Sequence, residues 1–287
     1  PRAEGKVTGP SDEQLSTEGR HRIMVCAYRR FLNDLLDRKH ARANGLVKSI
    51  DPHHFTSFRM SIAGDPTVSP ARIAYDFRGL ARTVDIMEPE GYGRIGDWER
   101  VRPGRFTADY SRATAPGRPV MWAEFGWAPY QRDAWDISPQ WQSDVAAFYD
   151  RFYRMADESG VNGTVAWWYP GGFRYGENSD YGIINPDGSW RPVTEMIHRW
   201  APRMTAPRSH AVDTWLTIDP DASVKGIVGA YEAVKERYFA LIEAGQNPGL
   251  RTDGFGLDSA SAPRRAVGNV PYRPGQNPHK YLNATLD

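Results

Sequence analysis

The sequence predicts an α/β fold built around a parallel sheet. Between residues 55 and 200, segments with the pattern of strands alternate with segments with the pattern of helices, which is typical of consecutive βα units. The short strand segments are mostly apolar, as expected for strands that are covered on both faces. Two helix starts are indicated by Ser69-Pro70 and Ser138-Pro139, because serine caps a helix N-terminus and proline fits the first turn.

The predicted elements can be placed in order. A first helix within residues 20–50 is indicated by an apolar stripe with a spacing of three to four residues, made of Met24, Tyr28, Phe31, Leu35 and Leu36. The elements that follow alternate in type; they are a strand at 55–62, a helix at 69–82, a strand at 84–87, a helix at 106–113, a strand at 119–125, a helix from Ser138 that stops at Gly160, a strand at 163–168 and a helix at 191–200.

The alternation ends near residue 200. Beyond it we predict a strand at 213–218 and a helix at 221–244, and residues 246–287 are rich in Gly, Pro and Asn with little that could form a core. We therefore expect one α/β unit at 1–205, followed at 206–287 by a linker helix and the start of an accessory, β-rich region.

Composition excludes several classes of function. The 36 Lys and Arg against 35 Asp and Glu leave a net charge of +1, which offers no electrostatic attraction for nucleic acid, and no apolar run is long enough for a membrane span. The single cysteine, Cys26, excludes an internal disulfide, and the seven histidines show no metal-binding spacing, so we expect no metal and no cofactor. The composition does not fix the cellular compartment, and a secreted or periplasmic location is favoured.

Glu124 is the most informative residue of the chain. It ends an apolar strand and is flanked by aromatic residues in the segment Val120-Met121-Trp122-Ala123-Glu124-Phe125-Gly126-Trp127. Burying an unpaired carboxylate costs several kcal/mol as an order of magnitude, so such a group is either satisfied structurally, for instance by an arginine, or functional. For Glu124 considered without its surroundings, the structural and the functional interpretations are equally good.

Polar and aromatic residues also follow two other predicted strand ends. These residues are Glu88, Glu90 and Tyr92 after the strand at 84–87, and Arg174, Glu177, Asn178 and Asp180 in the loop after Trp167-Trp168. In a parallel barrel every strand opens onto one face at its carboxyl end, so residues that are distant in sequence meet there. Acids, an arginine and aromatic faces on one rim predict a sugar-binding cleft.

The segment WAEFG, the strand ending in Trp-Trp and the loop PGGFRYGENSDYGIINPDGSWRP together resemble the last two βα units of clan A glycoside hydrolases. These are retaining (β/α)8-barrel enzymes that include family 5 cellulases and mannanases and related β-galactosidases. The resemblance covers roughly residues 45–200 and implies that the chain is the C-terminal half, strands 5–8, of a TIM (β/α)8 barrel.

The resemblance also implies roles for individual residues. Glu124 matches the nucleophile, Trp168 (or Trp167, if the strand phase differs by one) matches the aromatic floor of the cleavage subsite, and Tyr92 matches a tyrosine that hydrogen-bonds the nucleophile. Glu90 stands where the clan often has a histidine, which leaves its role open.

For the remaining candidates two interpretations stay open. Arg59 either projects toward the site from the predicted strand at 55–62 or pairs with Asp85 or Glu88. Arg174, Glu177 and Asn178, together with Asp180, either bind sugar hydroxyls or hold their own loop in place.

The sequence lacks the motif that supplies the acid/base residue in this clan. Retaining hydrolysis requires two carboxyl groups about 5 Å apart, and the clan supplies the acid/base from an Asn-Glu motif at the end of strand 4, whereas no Asn in this sequence is followed by Glu. We therefore expect the first four strands to lie on another chain or a removed segment, with Pro1 directly after the missing motif. A less favoured alternative is that Glu88 or Glu90 supplies the acid.

The predicted function is the retaining hydrolysis of a β-linked oligo- or polysaccharide, of the endoglucanase, mannanase or β-galactosidase type, with a carbohydrate and the N-terminal half of the barrel as partners. Three alternatives stay open: transglycosylation in the same fold, a non-catalytic carbohydrate-binding role, and an assembly subunit of a split barrel whose site forms only with a partner.

Overall fold

A computed structural model describes residues 9–128, 137–206 and 210–252. Its elements, in chain order, are α1 (Asp12–Ser16), α2 (Arg22–Ile50), α3 (Arg78–Ala81), α4 (Trp98–Val101), α5 (Gly104–Thr114), β1 (Met121–Phe125), α6 (Pro139–Glu158), β2 (Gly163–Ala166), α7 (Pro192–Met204), β3 (Thr214–Thr217), a 3-10 turn (Pro220–Ala222), α8 (Ile227–Glu243) and β4 (Pro248–Arg251). Pro1, which the sequence predicts to follow the missing motif, and residues 253–287 of the predicted accessory region lie outside the described residues.

The central sheet is parallel, as the sequence predicts. Strands β1 and β2 pair with Met121 opposite Gly163, and the preceding segment joins β1 through two parallel bridges, Met87 to Val120 and Glu90 to Glu124. Backbone bonds from Asp85 and Ile86 to the Thr56 carbonyl attach a further extended segment. Four consecutive segments therefore lie side by side, and the carboxyl ends of the three that pair in parallel share one edge of the sheet.

The helix starting at Ser138 is confirmed. The Ser138 hydroxyl accepts a hydrogen bond from the Trp141 amide at 3.1 Å, and Pro139 occupies the first turn of α6. The chain leaves this helix through Gly160, whose φ of +60° favours glycine. The predicted elements at 106–113, 119–125, 163–168 and 191–200 correspond to α5, β1, β2 and α7.

The helix predicted from Ser69-Pro70 is wrong. The Ser69 hydroxyl accepts from the Gly64 amide instead of capping a helix, and only the four residues of α3 are helical in this region. The buried guanidinium of Arg29 binds the carbonyls of Ala71 and Ile73 at 2.6 and 2.8 Å. Since a helix would use those carbonyls internally, this tertiary contact holds the segment in a turn instead.

Two further predictions need correction. The strand predicted at 55–62 does not form: residues 55–60 have no regular secondary structure, because their backbone bonds to the neighbouring segment are too few for a ladder, and residues 61–62 lie in a turn. In α2 the buried face contains Val25, Cys26, Arg29 and Asn33, whereas Met24 and Phe31 of the predicted stripe are 44% and 50% exposed. The helix is therefore rotated relative to the prediction, since it packs through hydrogen-bonding side chains.

The core lies between the sheet and helices α5 and α6. Phe125 and Phe152 stack with ring centroids 3.9 Å apart, and Trp122 meets Phe152 edge-on at 5.4 Å. The later elements join the same core, and Tyr238 of α8 donates to buried Asp109 of α5 at 2.5 Å. Strands β3 and β4 pair in parallel, with Thr214 opposite Pro248. The division at residue 205 remains a prediction.

None of the helices in the described ranges combines the length and hydropathy that a membrane span requires.

Candidate active site

Glu124 lies at the carboxyl end of β1, where the register with β2 shifts between Trp122 and Phe125. Trp122 and Phe125 both pack against α6 through Phe152. The irregularity leaves Glu124 free to point away from that packed layer, and its residue surface is only 8% exposed. The strand thus presents one carboxylate at the shared edge of the sheet.

Tyr92 holds one oxygen of this carboxylate. Its hydroxyl donates to Oε1 of Glu124 at 2.6 Å, a short distance that is typical of a hydrogen bond to an ionised acceptor. Burial, followed by the hydrogen bond to Glu124, raises the pKa of the Tyr92 hydroxyl far above its ordinary value. The phenol therefore keeps its proton and acts as a fixed donor.

Arg59 contacts the second oxygen of Glu124. Its Nη2 lies 3.1 Å from Oε2 of Glu124, and its Nε donates to Oε1 of Glu90 at 3.1 Å. Glu124, followed by Glu90, raises the pKa of the Arg59 guanidinium. Of the two interpretations that the sequence leaves open, the structure shows the first: Arg59 projects to the site, while Asp85 pairs with Lys48 at 2.8 Å.

Two tryptophans follow β2 and lie beside this network. The Arg59 guanidinium is 5.9 Å from the centre of the Trp167 ring, so Trp167 is the tryptophan on the Glu124 side. The Arg174 guanidinium lies 4.0 Å from the Trp168 ring and 5.2 Å from the Trp167 ring. One face of Trp168 is therefore covered by a cation of the same chain, an arrangement favoured by the ring quadrupole.

The loop after the tryptophans is held by its own charges. Arg174 pairs with Glu177 at 2.9 Å, and Asn178 occupies a turn position with a φ of +48°. Both Glu177 and Asn178 lie on the exposed tip of the loop. Below the tip, buried Asp180 and Arg191 form an ion pair at 2.7 Å. The charged side chains Arg174 and Asp180 therefore have partners within the loop or at the start of α7.

The predicted site residues thus separate into two groups. Glu124, Tyr92, Glu90 and Arg59 form one contact network, whereas Trp168, Arg174, Glu177 and Asn178 form the adjoining rim. Sequence reasoning missed Arg191. Its position just before a helix that starts with proline, eleven residues after Asp180, could have suggested its role. Within the described residues, no group of three or more His, Cys, Asp and Glu is arranged to hold a metal ion.

No family model and no curated protein matches this sequence. Solved structures do match: a GH5_18 protein from Streptomyces cattleya in complex with GlcNAc has a TM-score of 0.51 at 17% identity, covering 73% of this chain and 53% of that protein. A GH5_18 protein from Bifidobacterium longum subsp. infantis gives 0.51 at 17% identity, covering 73% and 52%.

A polyextremophilic β-galactosidase from the Antarctic haloarchaeon Halorubrum lacusprofundi has a TM-score of 0.59 at 16% identity and covers 86% of this chain and 38% of that protein. The chain therefore spans about half the length of the GH5_18 structures it matches. Identity at this level shows the fold alone, and the fold is that of the glycoside hydrolases of family 5 and β-galactosidase type.

Proposed function

We propose that this chain supplies the nucleophile side of a retaining β-glycoside hydrolase site, with Glu124 as the nucleophile. The observation that carries the proposal is the fixing of this buried carboxylate by the Tyr92 hydroxyl at 2.6 Å and the Arg59 guanidinium at 3.1 Å. A strand end is where barrel enzymes keep catalytic residues, and the fold shared with known glycoside hydrolases adds support.

In this proposal Glu124 attacks the anomeric carbon, the bond to the leaving oxygen breaks, and a covalent glycosyl-enzyme forms that water later hydrolyses. The Tyr92 hydroxyl fixes the orientation of the attacking carboxylate. The aromatic pair Trp167-Trp168 supplies the stacking surface for the sugar ring, with Trp167 on the Glu124 side. Arg174, Glu177 and Asn178 provide hydrogen-bonding groups for hydroxyls at the rim.

The acid/base residue is proposed to lie outside this chain, on the first half of the barrel. The absence of an Asn-Glu pair from the sequence supports this, as does a chain that spans about half the length of its GH5_18 neighbours. The exposed Phe55 and Val165, on the two outer segments of the sheet, agree with it. We thus propose that residues 1–205 are the second half of the barrel and residues 206–287 an accessory region.

We base the proposed substrate class on the ligand and the name of two structures that the fold resembles. One GH5_18 structure from Streptomyces cattleya holds Manb1-4GlcNAc, and the haloarchaeal protein is named a β-galactosidase. We therefore propose β-mannosides and β-galactosides as the first candidates, and β-glucosides, as in cellulose-type polysaccharides, as the next.

The test is covalent trapping by 2-deoxy-2-fluoro-β-glycosides that carry a dinitrophenyl leaving group. Because dinitrophenolate departs without protonation, the chain needs no acid/base residue to be glycosylated. We expect at least one of the mannosyl, galactosyl and glucosyl probes to add one sugar mass to a peptide containing Glu124, measured by intact-protein and peptide mass spectrometry. Glu124→Gln should remove the label, whereas Glu158→Gln, at an exposed position of α6 that is paired with Arg154, should keep it. Label on another residue, or on none, would refute the assignment.

A further inference from the structure

The loop between β2 and α7 contains a short hairpin that exposes two aromatic rings. Arg174 and Ser179 form an antiparallel bridge, with backbone hydrogen bonds of 2.8 and 3.4 Å between them. Next to this bridge, Phe173 is 37% and Tyr175 is 92% exposed. The two rings meet edge to face, with their centroids 5.6 Å apart. We name Phe173 and Tyr175 the aromatic tip, and an aromatic surface left this exposed indicates a binding role.

The aromatic tip adjoins the tryptophans of the candidate site. At the bridge, consecutive side chains point to opposite sides of the hairpin. The guanidinium of Arg174, which stands between the two tip residues in the sequence, lies 4.0 Å from the Trp168 ring. Arg174 therefore joins the hairpin to the tryptophans. Tyr175 follows it directly, with about 3.8 Å between the two Cα atoms, so the aromatic tip lies next to the rim of the site.

The base of the hairpin is fixed. The buried carboxylate of Asp180 accepts the amides of Gly172 and Gly182 at 3.1 and 2.8 Å, in addition to its ion pair with Arg191. The backbone is closely packed here, because a Cβ on Gly182 would come within 2.3 Å of the Gly171 Cα. A hairpin held in this way loses little freedom when a ligand binds to its tip, which favours binding.

The chemistry of the hairpin favours an uncharged ligand. Its charged side chains are paired, Arg174 with Glu177 at 2.9 Å and Asp180 with Arg191 at 2.7 Å. Asn178, which is exposed, adds an uncharged amide. The ligand that fits has a flat apolar face for the rings and polar groups along its edge. A pyranose ring has both, since its faces carry C–H groups and its edge carries hydroxyls.

Resting on the proposed function, we propose that the aromatic tip is an outer sugar-binding surface. One sugar residue of the substrate stacks on Tyr175 while another lies against Trp167-Trp168 beside Glu124. The substrate is then an oligo- or polysaccharide rather than the glycoside of a single sugar. The paired charges of the hairpin and its position next to the candidate site favour a sugar over a protein as the occupant.

The experiment measures binding of the full chain to soluble polysaccharides by affinity gel electrophoresis. Galactomannan, pectic galactan and hydroxyethylcellulose present β-linked mannose, galactose and glucose, respectively. We expect at least one of them to retard the wild-type chain. Tyr175→Ala should weaken that binding about three- to tenfold, as expected for the loss of one aromatic contact. Tyr175→Phe keeps the ring and should bind within about twofold of wild type.

Phe55→Ala is the matched control, because it removes a ring that is also exposed, by 74%, and lies outside the hairpin. It should bind the polysaccharide as wild type does. Circular dichroism checks that each variant is folded. Wild-type affinity in folded Tyr175→Ala, an equal loss in Phe55→Ala, or no retardation of wild type by any of the three polysaccharides would overturn the proposal. Loss of self-association in Tyr175→Ala, with sugar binding intact, would assign the aromatic tip to a protein contact instead.

The length of the ligand locates the effect. By calorimetry, Tyr175→Ala should lower the affinity for a hexasaccharide of the bound polysaccharide by the same factor. An equal fall in the rate of trapping by the single-sugar 2-fluoro probe would place Tyr175 at the cleavage subsite and overturn the outer surface. Binding that depends on Tyr175, without any covalent label, would reject the hydrolase proposal alone. Label on Glu124 with undiminished sugar affinity in Tyr175→Ala would reject the outer surface alone.

Discussion

At the scale of single residues, the chemistry of Glu124 depends on groups from three segments of the chain. Tyr92 and Glu90 come from the segment before α4, Arg59 from the extended segment after α2, and Trp167 from the end of β2. A carboxylate that accepts a short hydrogen bond on one oxygen and faces a guanidinium on the other is held in one orientation. Each of these neighbours therefore offers a separate way to test the site.

Tyr92→Phe tests the orienting role of the hydroxyl. The change removes the donor 2.6 Å from Oε1 of Glu124 and leaves a buried acceptor with one partner fewer, which costs about 1–3 kcal/mol. We expect the rate of trapping by the 2-fluoro probe to fall by about ten- to one-hundred-fold, the equivalent of that energy.

Tyr149→Phe is the matched control, because the Tyr149 hydroxyl is buried with no hydrogen-bond partner among the described residues. This variant should trap the probe at the wild-type rate. Equal rates for Tyr92→Phe and wild type would contradict the orienting role.

Some side-chain contacts at the site could be predicted from the sequence, and others could not. The contact of Tyr92 with Glu124 could be expected from the resemblance, because both lie in short motifs at strand ends. The pairing of Arg59 with Glu90 could not be settled, because it joins residues 31 positions apart and depends on the side-chain phase of a segment that forms no strand. Local patterns carry no information about such a contact.

At the scale of elements, two identical dipeptides show the limit of local signals. Ser138-Pro139 starts α6, whereas Ser69-Pro70 lies in a turn. The difference comes from Arg29, a residue forty positions away, whose guanidinium takes the carbonyls of Ala71 and Ile73. Helices with long apolar faces, such as α6, were predictable because burial and capping agree there. Segments held by a distant polar side chain were not.

The loop between β2 and α7 is the element that shapes the rim, and Asp180→Asn tests what holds it. Arg191 is buried and donates to both oxygens of Asp180, at 3.1 and 2.7 Å. The substitution keeps the size of the side chain but leaves a buried guanidinium without its counter-charge, which costs about 3–5 kcal/mol. We expect the free energy of unfolding in urea to fall by that amount.

The control is Glu158→Gln, which removes the charge of an exposed pair with Arg154. A surface pair of this kind contributes about 0–1 kcal/mol, so the midpoint in urea should barely move. A loss below about 1 kcal/mol in Asp180→Asn would show that other acceptors, such as the Gly182 carbonyl, suffice for Arg191.

At the scale of the whole molecule, the described residues form four adjacent segments, three of which pair in parallel, rather than a closed barrel. Within the described ranges, β2 pairs with β1 on one side only. On the surface, α2 carries Ile23 and Phe31, 82% and 50% exposed, and their spacing of eight places them on one face of the helix. An uncovered strand edge together with an apolar helix face favours association with another polypeptide.

Ile23→Asp/Phe31→Asp tests whether this helix face takes part in such association. We expect the purified wild-type chain to self-associate as its concentration rises, because these apolar side chains are exposed in the described part of the chain, and the double variant to shift toward the monomer. The midpoint of thermal unfolding of the double variant should differ little from that of wild type, since both side chains are already largely exposed in the folded chain. Ala43→Asp, an exposed position on the same helix, controls for added charge. Light scattering coupled to size exclusion measures the mass, and a wild-type chain that stays monomeric at every concentration would contradict the idea that α2 presents an interface.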